Sequence, residues 1–556
     1  MLKKVLSAAL LGALVVSVVA GCNPSSTQTS STAPTSSKGT ESQADVDLAD
    51  KTEKLTISWS GWPNTTPGEP DSWIEKMLEE KYNIELNCTF YDTNAYKQKR
   101  PIDFSSGAIP DVIYQADNTE LARDVKQGFI SELSYDMLKK YSPEFVKLVN
   151  EYAPEAWIGT SIDGKNYGIP TTRVLSNYTS NASLWREDWL KNVGIDKVPE
   201  TIDEMHEAFV RFTKNDPDKN GKNDTYGLSG DMTAWYFTFT EIFGAFGVQP
   251  YNWTTLDDGS VVNAVTLPET KEALKMLAEW YKEGIIHPDF VTDQTNVEVR
   301  NRFVNGEIGY TNAGSTGYFD TDNANSALNQ MLKINPDVKL VATEPIKGKD
   351  GQQGRFAWGA IGNIMCFGKD MADRPNAVAR ILDMWNDMLS DKDFYLESKC
   401  GKLGLHFEWI DPAVGSTSGF KYIAPYDDNN TRAKEVLQSD VTYVSYFSPS
   451  GGKPELFNSF RKKFDVDFAE EYMNPKFAMK DTFLKGDLIT DADKYLVSLR
   501  EKQMTFFTEV IRGDKSIDDY DAFLADWKAS GGDILTENAN NLGEKRAAIY
   551  KELGIE

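Results

Sequence analysis

Strand-like and helix-like segments alternate in the first part of the chain body, and this order limits the possible folds more than any other feature. Polar and apolar side chains alternate over residues 54–59 and 84–90, which predicts two β-strands, and residues 108–114 predict a third. A Ser-x-x-Glu capping box that begins at Ser72 predicts a helix between the first two strands. This β-α-β order indicates an α/β fold, with a mostly parallel sheet covered by helices.

The chain is long and acidic. Its 556 residues suit two or three lobes of ordinary domain size rather than one small core. The formal net charge of −25 repels phosphate backbones, which argues against nucleic acid as a partner. Scarce histidine and the absence of any Cys-x-x-Cys pair argue against a zinc site. Cys88, Cys366 and Cys400 could form at most one disulfide, and the sequence leaves open whether they do.

The N-terminus predicts export and a lipid anchor. Residues 1–21 combine a basic start with a short apolar run, as in a signal peptide. Small residues directly before Cys22 resemble the bacterial lipobox, in which the cysteine thiol is lipidated and becomes the first residue. An ordinary secretory signal with an incidental cysteine is the alternative. Residues 22–52 then predict a Ser/Thr-rich tether, reaching roughly 30 Å, that holds the body near the outer face of a Gram-positive cell membrane.

The sharpest local motif is an acidic loop at residues 216–227, spaced like an EF-hand. Gly221 stands where such a loop turns sharply, but Gly227 replaces the bidentate Glu of position 12. The predicted ligands are side-chain oxygens at positions 1, 3, 5 and 9 and a backbone carbonyl at position 7, from Asp216, Asp218, Asn220, Asp224 and Lys222. Hard oxygen ligands at these positions favour a structural Ca²⁺ ion, with a solvated acidic turn as the alternative.

Several motifs together resemble one family of binding proteins. They follow one another in the family's order at residues 162–170, 184–194, 198–204, 302–310, 401–409 and 516–527. In this order they resemble the extracellular solute-binding protein family 1 lipoproteins of Gram-positive bacteria, which have the type II periplasmic-binding-protein fold. The resemblance implies two α/β lobes, a hinge and an interlobe cleft for the ligand.

The same resemblance implies lobe boundaries, with crossings near residues 170, 295 and 345. Lobe 1 would then hold residues 53–170 and 295–345, and lobe 2 would hold residues 171–294 and 346–556, with C-terminal helices packing across both. A truncated EF-hand-like loop also occurs in the related alginate-oligosaccharide-binding proteins. There an acidic residue follows the position-9 Asp, whereas this chain has Thr225.

As a function, the resemblance implies capture of an oligosaccharide for an ABC importer, by a monomer that works with membrane permease subunits and a separate ATPase. A peptide- or pheromone-binding lipoprotein of the same fold is one alternative. A secreted glycoside hydrolase is another, with the carboxylate pairs Asp465/Asp467 and Glu470/Glu471 as candidates. We expect no enzyme, because the sequence contains no nucleophile elbow, zinc-protease motif or Walker A loop.

Carbohydrate clefts combine aromatic platforms for sugar C–H faces with polar groups for hydroxyls. The chain has 13 Trp and 24 Tyr, and several of them follow predicted strands, at the sheet edge where ligands bind in α/β folds. The predicted ligand-binding residues are Trp59, Trp62, Asp117, Trp235, Tyr236, Arg355 and Trp358.

Overall fold

The computed structural model describes residues 47–63, 68–172, 178–231, 238–292, 296–319, 324–357, 359, 363–410, 419–436, 445–483 and 488–555. Four of the predicted site residues lie outside these ranges: Cys22, Trp235, Tyr236 and Trp358. Leu48–Glu556 forms one compact unit. None of the helices in the described ranges has the length and hydropathy that a bilayer crossing requires.

The first sheet has the strand order β2-β1-β3-β13-β6. Its strands are β1 (Leu55–Ser60), β2 (Ile84–Cys88), β3 (Val112–Gln115), β6 (Ile169–Pro170) and β13 (Ile364–Phe367). The first three strands pair in parallel, as their sequence patterns predicted, while β13 runs antiparallel to both β3 and β6. The carboxyl ends of β1, β3 and β6 and the start of β13 therefore meet at one edge.

Helices from two distant parts of the chain cover this sheet, and with it they form the first lobe. The early helices are α1 (Trp73–Tyr82), α2 (Thr93–Ser105), α3 (Asn118–Lys126), α4 (Tyr135–Tyr141), α5 (Pro143–Tyr152) and α6 (Ala156–Thr160). The later helices are α13 (Pro375–Ser390), α14 (Lys392–Cys400), α15 (Asn429–Val436) and α16 (Pro454–Asn458). Helix α13 joins the two groups, because Asn386 accepts a hydrogen bond from the Glu144 backbone and Asp387 accepts one from Tyr82.

The second lobe is built on the sheet β10-β7-β11, in which both outer strands run antiparallel to the central one. These strands are β7 (Ala182–Arg186), β10 (Tyr310–Gly314) and β11 (Leu340–Thr343), and β12 (Arg355–Ala357) pairs in parallel with β16 (Ala478–Lys480). Its helices are α7 (Glu187–Asn192), α8 (Ile202–Lys214), α9 (Thr240–Ala245), α10 (Pro268–Lys282), α11 (Asn296–Asn305), α12 (Ala327–Ile334), α17 (Lys463–Tyr472), α18 (Ala492–Arg512), α19 (Tyr520–Trp527) and α20 (Asp533–Leu553).

Three two-stranded hairpins complete the described strands. They are β4 (Ser161–Ile162) with β5 (Lys165–Asn166), β8 (Trp253–Thr255) with β9 (Val261–Asn263), and β14 (Phe407–Trp409) with β15 (Phe420–Tyr422). Helix α20 contacts both lobes: Asn540 bonds the Val261 backbone of β9, and Lys545 donates to the Ser161 carbonyl of β4.

Strand pairing corrects the predicted lobe boundaries. Residues 295–345 were expected in the first lobe, but β10 and β11 both pair with β7 in the second sheet. Conversely, β13 lies inside the first sheet although residues 346–556 were expected in the second lobe. The chain returns to the second lobe between Phe460, which packs with the α14 and α16 side chains, and Phe468, which packs with those of β7. A strand's own sequence does not say which sheet it joins, so the prediction failed here.

Helix α8 shows how local sequence builds the second lobe. Thr201 and Glu204 form the capping box that starts it, and Met205, Phe209 and Phe212 are buried along one face. His206 lies off this face, where its Nε2 is 2.9 Å from a Glu283 carboxylate oxygen. Helix α8 thus covers one side of the sheet with these side chains, and the acidic loop follows its C-terminal end.

Candidate functional site

Trp59 lies in the core rather than in the cleft, which corrects the prediction for this residue. It is fully buried, and its indole Nε1 donates a hydrogen bond of 3.0 Å to the Tyr446 carbonyl. Its ring packs edge-on against Trp385 and Phe447, with centroids 6.0 and 5.2 Å away. Because side chains alternate along a strand, Trp59 shares the buried face of β1 with Leu55 and Ile57.

Trp62 follows at the carboxyl end of β1 and is only half-buried. Gly61 precedes it, and a Cβ atom at Gly61 would lie 2.0 Å from the Tyr446 carbonyl oxygen, so only glycine fits this close approach. The Trp62 ring meets the Tyr114 ring at 61°, with centroids 5.1 Å apart. The Asn363 amide donates to the Tyr114 hydroxyl at 2.9 Å and to the Ala116 carbonyl at 2.6 Å. These contacts place Trp62, Tyr114 and Asn363 together at the edge of the first sheet.

This aromatic corner, defined by Trp62, Tyr114 and Asn363, lies where the chain passes between the two lobes. The Thr171 backbone N–H, directly after β6, donates to the Asn363 carbonyl at 2.9 Å. Strand β6 leads towards β7 of the second lobe, and Asn363 leads back into β13 of the first. Ligands of open α/β sheets bind outside the carboxyl ends of the strands, and this edge is such a position.

A buried polar network supports the corner from behind. Arg100 binds Asp124 at 2.7 Å, and Glu120 accepts hydrogen bonds from the Ala116 backbone at 2.7 Å and from Tyr96 at 2.8 Å. Burial would raise the pKa of Asp124, but the hydrogen bond from Arg123 and the charge of Arg100 hold it below its ordinary value. Asp124 therefore stays charged, and its ion pair with Arg100 together with the Glu120 hydrogen bonds keeps the end of β3 in place.

Asp117 is exposed at the same edge, directly after β3. Its carboxylate caps α3 by accepting a hydrogen bond of 2.8 Å from the Glu120 backbone. Asn118 beside it donates to the Gly159 carbonyl at 2.6 Å. Asp117 thus has a structural partner and still presents its outer carboxylate oxygen at the edge.

Arg355 is a structural residue of the second lobe, which corrects the prediction that it binds ligand. Its side chain is 2% exposed and lies 3.4 Å from the Glu241 carboxylate, which is equally buried. It donates to Ser183 Oγ at 2.6 Å and to the Thr343 carbonyl and the Asn181 carbonyl at 3.1 Å each. Because it is buried and bonded to these internal partners, the guanidinium is not available to bind a ligand.

Opposite charges flank the segment that connects β12 to β13. A Cβ atom on Gly359 would lie 3.8 Å from a Glu155 carboxylate oxygen and 3.8 Å from Lys480 Cβ. Burial lowers the pKa of Lys480, and the charge of Glu155 opposes this shift. Glu155 precedes α6 in the first lobe, whereas Lys480 ends β16 in the second. Sequence reasoning missed these residues, because no motif marks a contact between such distant segments.

In the acidic loop, the predicted cation ligands lie around the side-chain amide of Asn220. The Asp216 carboxylate accepts hydrogen bonds of 2.9 Å from the backbones of Asn220 and Gly221, whose φ of +80° makes the turn. The Asn220 amide donates to Asp218 at 2.9 Å and to Asp224 at 3.1 Å. In the described part of the chain, these side chains do not form a closed cluster of three or more acidic, His or Cys groups.

The donor set nevertheless fits a hard cation. Burial, the hydrogen bond with Asp216 and the charge of Asp224 raise the pKa of Asp218, which shows that negative charge is crowded in the loop. A divalent cation would relieve this repulsion. Packing explains why glycine rather than Glu occupies position 12 of the loop, because a Cβ atom on Gly227 would lie 2.5 Å from the Phe209 ring. Thr225 is buried and donates to the Phe212 carbonyl at 2.7 Å, so it points away from the loop.

Residues 73–360 match the sequence profile of a family described as bacterial extracellular solute-binding protein. The chain belongs to this family. Membership confirms the family resemblance that the sequence motifs predicted, and it makes the protein a binding protein rather than an enzyme. Its function is therefore to bind a solute outside the cytoplasm.

Two curated proteins are similar to this chain over most of its length. The polygalacturonan/rhamnogalacturonan-binding protein YtcQ of Bacillus subtilis (strain 168) is 27% identical over 376 residues, which cover 66% of this chain and 70% of that protein. Lipoprotein LipO of the same organism is 26% identical over 485 residues, covering 84% of this chain and 88% of LipO.

Solved structures confirm the two-lobed fold of the family. A solute-binding protein from Bifidobacterium longum infantis, described as binding HMO, superposes with a TM-score of 0.65 at 16% identity, covering 89% of this chain and 99% of that one. An EF-hand mutant of the Streptococcus pneumoniae substrate-binding protein FusA, in complex with fructo-nystose, gives a TM-score of 0.59 at 18% identity, covering 89% and 100%. FusA is thus a protein of this fold that has an EF-hand.

Proposed function

We propose that this protein is a lipid-anchored receptor that captures an oligosaccharide outside the cell and delivers it to an ABC importer. Membrane permease subunits and a separate ATPase would complete transport, and the lipidated Cys22 would hold the receptor at the membrane. Family membership supports the binding role. The saccharide names of YtcQ and FusA support the ligand class, and the name of LipO supports the anchor.

The aromatic corner is the observation that carries the proposal. A half-buried indole beside a phenol and an amide offers a face for sugar C–H groups and partners for hydroxyls. The corner borders the segments that connect the lobes, so a ligand bound on it can contact both of them. Such a ligand stabilises the closed arrangement by the contacts that it makes only there.

Trp62 and Asp117 are the predicted ligand residues that we retain in the first lobe. Trp235, Tyr236 and Trp358 remain predictions for the opposite wall. Trp59 and Arg355 are excluded, because their buried side chains are committed to internal partners.

Calcium is proposed as a structural ion of the second lobe. The carboxylates of Asp216, Asp218 and Asp224, with the Asn220 amide oxygen and the Lys222 carbonyl, would hold it. A bound Ca²⁺ would supply charge compensation between crowded carboxylates and would take no direct part in saccharide binding. The loop begins after α8 and ends near Tyr226, which forms an isolated β-bridge with Ile308, so the ion would stabilise that connection.

Titration calorimetry against neutral and acidic oligosaccharides, with oligopeptides in parallel, tests the proposal. Trp62→Ala should weaken saccharide binding roughly tenfold or more, because a stacked aromatic is worth about 1–3 kcal/mol by analogy with base stacking. Trp409→Ala is the matched control, since Trp409 is also half-buried in the first lobe but lies on β14 against Phe407. Tight binding to oligopeptides alone, or release of a cleaved saccharide, would contradict the proposal.

A further inference from the structure

A groove of about 770 Å³ opens on the second lobe beside the acidic loop. It lies at the Arg186 end of β7, whereas the chain enters β7 from the first lobe at Ala182. Its other walls come from the end of α11, the end of α12 and the loop before β11. Asp218 lines it, but none of the predicted saccharide-binding residues does.

A buried arginine points one donor into this groove. The Arg186 side chain is 4% exposed, and its Nε and Nη2 atoms bind the Asp188 carboxylate at 2.9 and 2.6 Å. Its third nitrogen, Nη1, has no hydrogen-bond partner among the described residues and lies 3.7 Å from where a Gly306 Cβ would stand. Gly306 lines the groove as well. Solvent reaches Nη1, so this charged N–H group can donate to an acceptor from outside the protein, best an anionic one.

The charges around the groove also favour an anion. Lys191, Lys219 and Lys339 are exposed on its rim, and of these only Lys191 forms an ion pair within the described residues, with Glu187. Three acids also line the groove: Asp188 is paired with Arg186, Asp218 belongs to the proposed calcium loop, and Asp337 is exposed on the rim. The four cationic and three acidic side chains of the lining leave one net positive charge, which is a local exception in a chain with a net charge of −25.

The remaining residues of the groove favour a ligand that has hydroxyl groups and an apolar face as well as a negative charge. Asn192, Asn305 and Asn335 offer amide donors and acceptors suited to hydroxyl groups. Met331 and Ile334 add an apolar wall, and Ile334 is 62% exposed. Amides and an apolar wall match the hydroxyls and C–H faces of a sugar ring, whereas inorganic phosphate would use neither.

We infer that this groove is a second ligand site, separate from the interlobe cleft, and that it binds a carboxylate-bearing sugar. The uronate carboxylate lies against Arg186 Nη1 and the rim lysines, and the ring lies on Met331 and Ile334. A site on one lobe needs no closure. It can therefore hold one part of an acidic polysaccharide while the cleft samples another part, which raises the local concentration of ligand.

The test is calorimetry with digalacturonate in excess calcium, using the full-length mature protein carrying Trp62→Ala to weaken the cleft. Binding should persist in this background and should fall as NaCl rises from about 50 to about 500 mM, because salt screens exposed charges. The methyl ester of digalacturonate, which keeps the hydroxyls but loses the charge, should bind at least roughly tenfold more weakly.

Two groove variants and one control complete the test. Lys219→Glu with Lys339→Glu should weaken digalacturonate binding roughly tenfold or more by reversing charge on the rim. Asn305→Trp should weaken it by filling the groove without any change of charge. Lys282→Glu, at an exposed lysine of α10 that does not line the groove, should bind like the parent.

Three outcomes would overturn the inference. They are loss of all digalacturonate binding in the Trp62→Ala protein, equal binding of the methyl ester, and unchanged binding in both groove variants. Neutral saccharides report on the interlobe cleft alone, so the failure of one site is distinguishable from the failure of the other.

Discussion

Arg355 and Glu241 are a buried ion pair on which several second-lobe segments depend. Arg355 bonds Ser183 on β7 and Thr343 on β11, and Glu241 accepts a hydrogen bond of 2.7 Å from the Ile346 backbone. Burial and the nearby charge of Glu241 raise the pKa of Tyr310, which hydrogen-bonds the same carboxylate. Removing one partner from such a cluster leaves the other charged and uncompensated.

Arg355→Met should therefore lower the free energy of unfolding by about 3–5 kcal/mol, measured by urea denaturation. Arg512→Met, which removes an exposed arginine paired with Asp514, should change it by less than about 1 kcal/mol. Adding Glu241→Gln to Arg355→Met should restore part of the loss, because the stranded charge disappears. Unchanged stability together with weaker saccharide binding would show instead that Arg355 contacts ligand.

Lys399 predicts a pH dependence of stability. Its ammonium group is fully buried on α14 and donates to the Ser450 carbonyl at 2.6 Å, and burial lowers its pKa to about 7. In the unfolded chain a lysine stays protonated up to about pH 10.4. Between these values unfolding takes up a proton, so the contribution of Lys399 makes the folded state more stable as pH rises.

Urea denaturation between about pH 7.5 and about pH 9.5 should show this contribution as a slope of up to about 1.4 kcal/mol per pH unit. Lys399→Met should lack that slope, while Lys282→Met, at an exposed position, should keep it. Parallel stability curves for wild type and Lys399→Met would mean that the buried amine does not titrate in this range.

The acidic loop and the helix before it form one connected element. Phe209 and Phe212 of α8 are buried, and the loop packs back on them through Gly227 and Thr225. A cation held in the loop would therefore stabilise the end of α8 and the start of the following segment together. Binding that occurs only in the folded state raises stability by mass action, by about 2.7 kcal/mol at a hundred times the Kd.

Chelation of calcium should accordingly lower the melting temperature, followed by calorimetry or fluorescence. Asp216→Ala with Asp218→Ala should abolish the response to both chelator and added calcium. Asp257→Ala with Asp258→Ala removes two acids from the exposed β8–β9 turn and should leave the response intact. Identical melting curves with and without chelator would contradict the calcium site.

The whole molecule depends on segments that pass between the lobes and, in the function that we propose, on a lipid anchor at Cys22. Helix α20 bonds Val261 in the second lobe and Ser161 in the first, so it must accommodate any closure. The last residues of the predicted tether instead pack on the first lobe, where the Leu48 backbone donates to the Tyr141 hydroxyl at 3.2 Å and Lys51 pairs with Asp383 at 3.1 Å. The part of the proposed tether before them would leave the body free to close and to reach a permease.

Cys22→Ala should abolish lipidation, so that the protein appears in the medium or keeps its signal peptide. Cell fractionation and intact-mass measurement distinguish these results from anchoring. Cys366→Ala is a suitable control, because Cys366 is a buried free thiol of β13 and is not part of the lipobox-like motif. If processed Cys22→Ala protein still sediments with membranes, the anchor lies elsewhere.

Features that depend on near neighbours were predictable from the sequence. Strands β1 to β3, the capping boxes at Ser72 and Thr201 and the turn at Gly221 all occur where the pattern indicated. Each depends on side chains and backbone groups only a few positions apart, so the local sequence contains the information. The two-lobed fold was also predictable, from the resemblance of the ordered motifs to a known family.

Features that depend on distant contacts were decided only by tertiary structure. Trp59 and Trp62 are three positions apart and equally aromatic, yet Trp59 is covered by Trp385 and Phe447 while Trp62 is left half-exposed beside Tyr114. Alternation along a strand defines two faces but does not say what will cover either of them.

The same reason explains the lobe boundaries and Arg355. Strands β10 and β11 join β7 rather than the first sheet, and Arg355 meets Glu241 more than a hundred positions away. Backbone hydrogen-bonding groups are alike in every strand, and a charge can be paired by any opposite charge that the fold brings near. Which partner each one finds is settled by packing of the whole chain, which local periodicity does not encode.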